Sequence, residues 1–443
     1  MQRKWRILFF VLIVASPVFG QDTLKLFFKE AVDIGLENNV NLQRERNNFV
    51  ITEANRKEAK ALYAPGFGAQ LRAQKMNGQQ FNELTGDAFR GNTDFANVNV
   101  GTRYTIFDGL NRLYSNKQTQ AQLESQQYLV NRTEQDVIFN VGAQFLQVLM
   151  DKEILRISRK NLELQSTTLK QILGFVEAGT RPLSDRLDQE AQVSKIEVEV
   201  IRGENTLRLD KAILTQTLLL DPGVEIDPQD PEWSIESILV VDYNLEDLYQ
   251  SAMANRPDYK RALAEQQAAN AGINMARSLY YPTIEFFGGV GSSYNSQQAD
   301  FSFGDQMDNN SVINYGLEMN IPIYQRNTSS AQKVRAKMLY ENTKLNEKDL
   351  RLMIFREVQT SYLNFVAAKN EYFAAEKQFK AAEEAYSIQN ERYEVGVGDL
   401  VELFRSTWTL VDGASSRAQA QYSLLFQKVI LDYYTGILTK SDL

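Results

Sequence analysis

Two of the side chains that most often carry chemistry are missing, since the 443 residues contain neither His nor Cys. The commonest acid–base catalyst and metal ligand is therefore unavailable. Disulfides, thiolate metal sites and lipid attachment at an N-terminal Cys are excluded as well. Carboxylate, Ser, Lys or Tyr chemistry remains. The carboxylates Asp185 and Asp188 could form a hydrolytic pair, but no substrate-binding pattern accompanies them. The "GGVG" at Gly288–Gly291 lacks a following Lys-Ser/Thr and sits inside an alternating pattern. It reads as a bend or close backbone approach and not as a phosphate loop. No enzyme activity, cofactor or metal site is expected.

The elements that position these residues begin with an export signal. The first twenty residues, "MQRKWRILFFVLIVASPVFG", have a basic start, an apolar stretch from Ile7 to Val14 and small or turn-forming residues before Gln21. This predicts a secretory signal at 1–20, too short to be a spanning helix. Its removal takes Arg3, Lys4 and Arg6 with it, moving the formal net charge from −8 to −11. Such acidity argues against a nucleic-acid partner. With 23% charged residues and no long apolar run after the signal, a helical membrane span is not expected.

The chain repeats itself. "LYAPGF" at Leu62–Phe67 and "LYYPTIEFF" at Leu279–Phe287 align on Pro65 and Pro282, an offset of 217 residues (282 less 65). Asn38, Arg44 and Ala54 then fall on Asn255, Arg261 and Ala271, and Gly179 and Leu183 fall on Gly396 and Leu400. A tandem duplication is a statement about fold. The first repeat occupies 21–220 and the second 244–443, with a linker at 221–243 rich in Pro, Asp and Gly ("DPGVEIDPQDPEW", Asp221–Trp233). Each repeat reads as helix, strand pair, long helix, turn and helix. The pieces are about Leu24–Ala64, Pro65–Phe107, Leu110–Ala178 and Ser184–Leu220, then Leu245–Tyr281, Pro282–Tyr324, Thr328–Val395 and Asp399–Tyr434. Pro65 and Pro282 mark the helix-to-strand joins, because proline cannot continue a helix interior and pushes its predecessor toward extended geometry.

Within the strand pairs, about 65–107 and 282–324, charge is segregated by period two. One parity holds Phe67, Leu71, Val98, Val100, Tyr104, Ile284, Phe286, Val290, Tyr315, Leu317 and Met319. The other holds Arg72, Arg103, Glu285 and Glu318, with Gln70, Asn97, Asn99, Asn314 and Asn320. Together with export and polar loops at Lys75–Phe95 and Asn295–Val312, this predicts a transmembrane barrel wall with lipid outside and these four charges facing the lumen. Four strands cannot close a barrel, and open edges in hydrocarbon leave backbone groups unsatisfied at several kcal/mol each. The chain must therefore oligomerise, and two, three or four copies would give roughly 8, 12 or 16 strands.

The span Leu110–Ala178 would be about 100 Å long as one helix. It carries a seven-residue apolar series, Val141, Val148, Leu155, Leu162, Leu169 and Val176, whose second-repeat counterparts are Val358, Phe365, Tyr372, Phe379, Tyr386 and Tyr393. That period predicts coiled-coil packing, and an aliphatic column matched to an aromatic one suits interdigitation.

The duplicated joins, the strand pairs before each long helix, and "EAGTRPLSD" and "EVGVGDLVE" at the two turns resemble the TolC-type outer-membrane efflux proteins. The resemblance implies a mainly α fold in which three chains with four strands each form a twelve-stranded barrel, continuous with a periplasmic α-helical barrel. It implies a homotrimer in the outer membrane of a Gram-negative-type cell, embedded in outer-membrane lipid and closed at its periplasmic tip. Opening would follow docking of a periplasmic adaptor (membrane fusion) protein and an inner-membrane pump.

The tip turns, about 178–184 and 395–401, would meet the adaptor through Gly179, Thr180, Pro182, Leu183, Gly396, Val397, Gly398 and Leu400. In the family a Tyr three before the second Gly and an Arg two after it hold the tip closed. Tyr393 and Asp185 fit that scheme, whereas Gly398 stands at the Arg position and Arg181 at its first-repeat counterpart. Two acidic rings six and nine after the second Gly select cations, where Glu402 fits and Arg405 departs; the same first-repeat offsets hold Asp185 and Asp188. The expected gate is thus Arg181, Asp185, Asp188, Tyr393, Glu402 and Arg405, with links exchanged between repeats, Arg181 near Glu402 and Asp188 facing Arg405. The implied function is the passive exit duct of a tripartite efflux or type I secretion system. A structural periplasmic coiled-coil tether is the alternative; it leaves the segregated charge of the strands unexplained.

Overall fold

A computed structural model describes residues 24–82, 86–230, 235–298 and 300–439; the expected signal at 1–20 and Trp233 lie outside them. The elements of the first half are β1 (Leu24–Leu26), α1 (Phe28–Asn38), α2 (Val40–Ala61), β2 (Gly66–Asn82), β3 (Asp87–Phe107), α3 (Asn111–Glu177) and α4 (Leu183–Thr217). Then come β4 (Ile226–Pro228), α5 (Ile235–Val240), α6 (Leu245–Asn255), α7 (Pro257–Ser278), β5 (Thr283–Asn295), α8 (Phe303–Asn309), β6 (Val312–Asn320), α9 (Thr328–Glu394) and α10 (Leu400–Thr435). Adding 217 to both bounds of α1, α2 and α3 returns those of α6, α7 and α9. Even left-handed backbone repeats where the side chains differ, with Gly109, Leu110 and Leu219 matched by Arg326, Asn327 and Gly436.

Several boundaries differ from the sequence reading. Residues 24–64 and 245–281 are not single helices. Leu24–Leu26 leaves the helix to pair in parallel with Ile226–Pro228, so part of the Pro-rich linker is a short strand. The helices themselves break at Asn39 (ψ 115°) and Arg256 (ψ 122°). Pro257 explains the second break, since it cannot donate to the preceding turn; the first has the same backbone without a proline. The β2–β3 hairpin extends through most of the expected Lys75–Phe95 loop, to Asn82 and from Asp87, because every residue there finds a ladder partner. The loop at Asn295–Val312 contains α8, capped by Ser302, whose hydroxyl accepts the Asp305 N–H. The last strand stops at Asn320, short of Tyr324.

The described residues form two compact units. One combines Asn41–Thr133 with Tyr249–Glu357 and contains the four-stranded antiparallel sheet, ordered β2-β3-β5-β6. Its register sets apolar against apolar: Leu71↔Val98, Val100↔Val290, Phe286↔Leu317 and Ile284↔Met319. The polar parity pairs likewise, as in Arg72↔Asn97 and Glu285↔Glu318. The apolar band ends on the loop side where Lys75 faces Asp94, an ion pair at 3.5 Å. Gly288–Gly291 lies within β5; a Cβ on Gly289 or Gly291 would come within 3.2 Å of a carbonyl oxygen of β3. That is the close backbone approach expected of the run.

The other unit takes the chain up to Val40, Glu134–Leu248 and Val358 onward. Its core is the helical seam. Val141, Val148, Leu155, Val358 and Phe365 are buried, and Phe28 meets Phe145 edge to face at 5.3 Å. The two columns compensate in volume. A Cβ on Gly413 of α10 would lie 3.3 Å from the Phe379 backbone of α9, whereas the first-repeat counterparts are Ile196 and Leu162. Among the described residues no helix is long and apolar enough to cross a membrane.

Candidate functional site: capped helix turns and a two-faced wall

The turns after α3 and α9 are built alike. Gly179 (φ 71°) and Gly396 (φ 79°) adopt left-handed backbone. The Gly179 N–H donates to Val176 O (3.0 Å) and the Thr180 N–H to Phe175 O (2.9 Å); the Gly396 N–H donates to Tyr393 O (3.1 Å) and the Val397 N–H to Arg392 O (3.0 Å). These crossed bonds are the Schellman cap, which satisfies carbonyls that a helix end would otherwise orphan, and glycine takes its left-handed position without a Cβ penalty. The following helices start differently. Pro182 precedes α4 with no side-chain cap, whereas the Asp399 carboxylate accepts the Val401 N–H at 3.2 Å. Gly398 is fixed by crowding, because a Cβ there would stand 2.7 Å from the Tyr393 nitrogen. No arginine fits at that position of the turn as folded.

The expected gate residues separate into two groups. Arg181 pairs with Asp185 at 3.3 Å, and its guanidinium carbon lies 5.2 Å from the centre of the Tyr393 ring. Tyr393 packs with Ile172, Leu400 and Leu403. Burial raises the affinity of its phenol for the proton, with Asp185 adding and Arg181 opposing. Its hydroxyl has no hydrogen-bond partner among the described residues. Asp188, Glu402 and Arg405 are exposed on α4 and α10.

The link between repeats thus differs from the one expected. Arg181 holds Asp185 one turn along its own helix and reaches the other repeat by stacking on Tyr393; among the described residues no ion pair joins it to Glu402, or Asp188 to Arg405. Leu400 corrects another expectation. It is 6% exposed, in the core beneath the turn, while its counterpart Leu183 is 56% exposed, beside Thr180 and Pro182. Val397 is exposed and Gly398 partly covered.

On the sheet, Arg103 and Glu285 form an ion pair at 3.5 Å. Glu285 also stands directly opposite Glu318, a like-charge juxtaposition that destabilises a ladder. Arg72, on the outer strand β2, has no ion-pair partner among the described residues. Pro65 and Pro282 each fall immediately before a strand, β2 and β5.

Sequence reasoning missed two sites. The first is Arg112 at the strand-to-helix join. It pairs with Asp108 (3.1 Å), donates to Leu62 O and Ile106 O (both 3.2 Å), and lies over the rings of Tyr63 and Tyr104. Only the tertiary fold brings residues 62 and 112 together. The second is Asp151 on α3, 8% exposed, with one carboxylate oxygen unpartnered and the other accepting from Gln147 at 3.1 Å. Burial, and then Asp210 of α4, push its pKa up to about 7. A polar residue in a helical seam was its only sequence signal.

A sheet apolar on one face and polar on the other, with paired long helices ending in matched capped turns, defines a channel-forming protein of the cell envelope. Residues 248–436 match the family model for outer membrane efflux proteins. The chain is 21% identical over 441 residues to the outer membrane efflux protein BepC of Brucella suis, covering 98% of this chain and 90% of that one. It is 26% identical over 396 residues to protein CyaE of Bordetella pertussis, covering 88% and 79%. Its fold matches the outer membrane protein VceC of Vibrio cholerae with a TM-score of 0.76 at 13% identity, covering 92% and 96%, and the CmeC outer membrane channel of Campylobacter jejuni with 0.74 at 14% identity, covering 94% and 86%. These likenesses are all to outer-membrane efflux and export proteins, TolC among them.

Proposed function

We propose that this protein is the outer-membrane exit duct of a tripartite efflux or type I secretion system, a passive conduit opened at its helix turns by an adaptor and an inner-membrane pump. The observation that carries the reading is the sheet. Four strands set apolar against apolar on one face and charge on the other, and among the described residues of one chain both outer edges lack partners. Hydrocarbon tolerates such a sheet only when it closes. Three chains give twelve strands, and in this reading the duct is a homotrimer. A periplasmic tether has no use for a wall with a wet and an apolar face.

The tip turns supply the gate. In a trimer Asp185, Arg181 and Tyr393 recur around one axis, as do Asp188, Glu402 and Arg405, where repeated like charges attract counter-ions. The adaptor would meet the exposed Thr180, Pro182, Leu183 and Val397, with Gly179, Gly396 and Gly398 shaping the turns; Leu400 supports them from beneath. Purified protein in planar lipid bilayers should form trimers of low conductance, blocked by calcium. Asp185→Ala and Tyr393→Ala should raise conductance, and Glu402→Ala should relieve the block. Unchanged behaviour in all three would remove the gate assignment. A water-soluble monomer that never enters lipid would remove the duct.

A further inference from the structure

The two outer edges of the sheet correspond to two strands already paired inside it. Subtracting 217 carries β6 onto β3, and adding 217 carries β2 onto β5. The ladder between β3 and β5 is therefore an internal template for the contact between β6 of one protomer and β2 of the next. In that ladder partner numbers total 390 from Phe95↔Asn295 to Thr105↔Glu285. Because the shift adds to one strand what it takes from the other, the total survives the translation.

Resting on the trimeric-duct reading, we propose that β6 pairs with β2 of the partner subunit in the register totalling 390, and that Arg72 of the partner subunit thereby becomes the counter-ion of Glu318. Two independent features support this register. Parity comes first. An even total sets Leu317 against Ala73 of the partner subunit and Met319 against Leu71 of the partner subunit, keeping the apolar face continuous, while Asn320 meets Gln70 of the partner subunit on the wet face. An odd total would turn every side chain of one strand to the wrong side. Charge comes second. Within one chain Glu318 stands against Glu285, and Arg103 pairs with Glu285. Among the described residues neither Glu318 nor Arg72 has an ion-pair partner. The proposed register sets these two charges directly opposite one another, and a two-residue slip, which also preserves parity, parts them.

The chain has no Cys, so pairs of introduced cysteines report register without background. Opposed residues in an antiparallel ladder have Cα atoms about 4.5–5.5 Å apart, within the range a disulfide spans, whereas diagonal neighbours are about 7–8 Å apart. Under mild oxidant, outer membranes carrying Gln70→Cys/Asn320→Cys should yield covalent dimers and trimers, and Gln70→Cys/Glu318→Cys monomers alone. In the native background Arg72→Glu or Glu318→Arg should each abolish heat resistance of the trimer band, and the double exchange should restore it. Cross-linking of the second cysteine pair, or of neither pair in a protein that still sediments as a trimer, would overturn the register and leave the duct intact. A protein that sediments in detergent as a monomer would overturn the duct reading itself.

Discussion

The two repeats follow the same backbone path and place their strong polar interactions at opposite ends of it. In the second repeat the charge is at the helix break. Arg256, 1% exposed, is clasped by Asp258 (2.6 and 3.0 Å) and Glu357 (2.7 Å). Burial alone would raise the pKa of Asp258, but hydrogen bonds and charge from Arg256 outweigh it and hold the carboxyl below its ordinary value. The equivalent first-repeat positions are Asn39, Asn41 and Asn140. At the strand-to-helix join the roles reverse. Arg112 and Asp108 clamp the first repeat, whereas Ser329 and Gln325 stand there in the second, beside a cavity of about 220 Å³ lined by Leu279, Tyr280, Ile323 and Tyr324. A duplicated fold needs each corner fixed, and either copy can supply the fixing group.

The largest expected effect tests the helix break. Arg256→Met leaves two carboxylates without the guanidinium that bonds both, and removing one partner of a buried ionic group costs about 3–5 kcal/mol. Thermal unfolding of the detergent-solubilised protein should show a steep fall. Asn39→Ala, at the matched position of the first repeat, should cost far less, and equal losses would erase the contrast.

Next comes the join. Arg112→Ser gives the first repeat the chemistry of the second and removes the side-chain bonds to two carbonyls and to Asp108, which keeps the backbone N–H of residue 112, with an expected loss of about 2–3 kcal/mol. Ser329→Arg places a guanidinium beside the second-repeat cavity and should be close to neutral in the same melt. A harmful Ser329→Arg with a silent Arg112→Ser would invert the assignment.

At the tips the expected effects are smaller. Gly179→Ala and Gly396→Ala force a Cβ into left-handed backbone, at about 1–2 kcal/mol each. Gly398→Ala meets backbone atoms of Tyr393 and should disturb the turn more than Thr180→Ala at the first-repeat tip. Pump-dependent resistance and adaptor cross-linking would both report the difference.

One effect depends on pH. Asp151 keeps its proton in the folded protein up to about pH 7, while the unfolded chain releases it near its ordinary carboxylate value. Between these limits the native state binds more protons, so this group's contribution to stability declines as pH rises through the window. Its second-repeat counterpart is Ala368. The Asp151→Asn variant should therefore gain melting temperature relative to the parent between pH 5 and pH 8. A gain independent of pH would mean that Asp151 is ionised throughout.

Much of this arrangement is legible in one dimension. Pro65 and Pro282 mark the joins because a missing N–H acts locally, and period two in the strands exposes the two faces because side-chain alternation is a property of a single strand. The Schellman glycines are legible for the same reason. The Asn39 break is not, since no proline or glycine marks it. The Arg112 clamp, the closeness of Asp151 to Asp210 and the stacking of Arg181 on Tyr393 were equally hidden. Each joins residues whose distance along the chain says nothing about their distance in space.

The sequence by itself determined the duplication, the segregation of charge, the absence of His and Cys chemistry and the left-handed turns at the helix tips, all of which follow from local backbone and side-chain preference. Tertiary structure alone decided which charge meets which. It placed Leu400 in the core and Leu183 on the surface, set Glu285 against Glu318, and buried Arg256 between two carboxylates. Pairing and burial are set by strand register and helix packing, which depend on long-range contacts that no local pattern records.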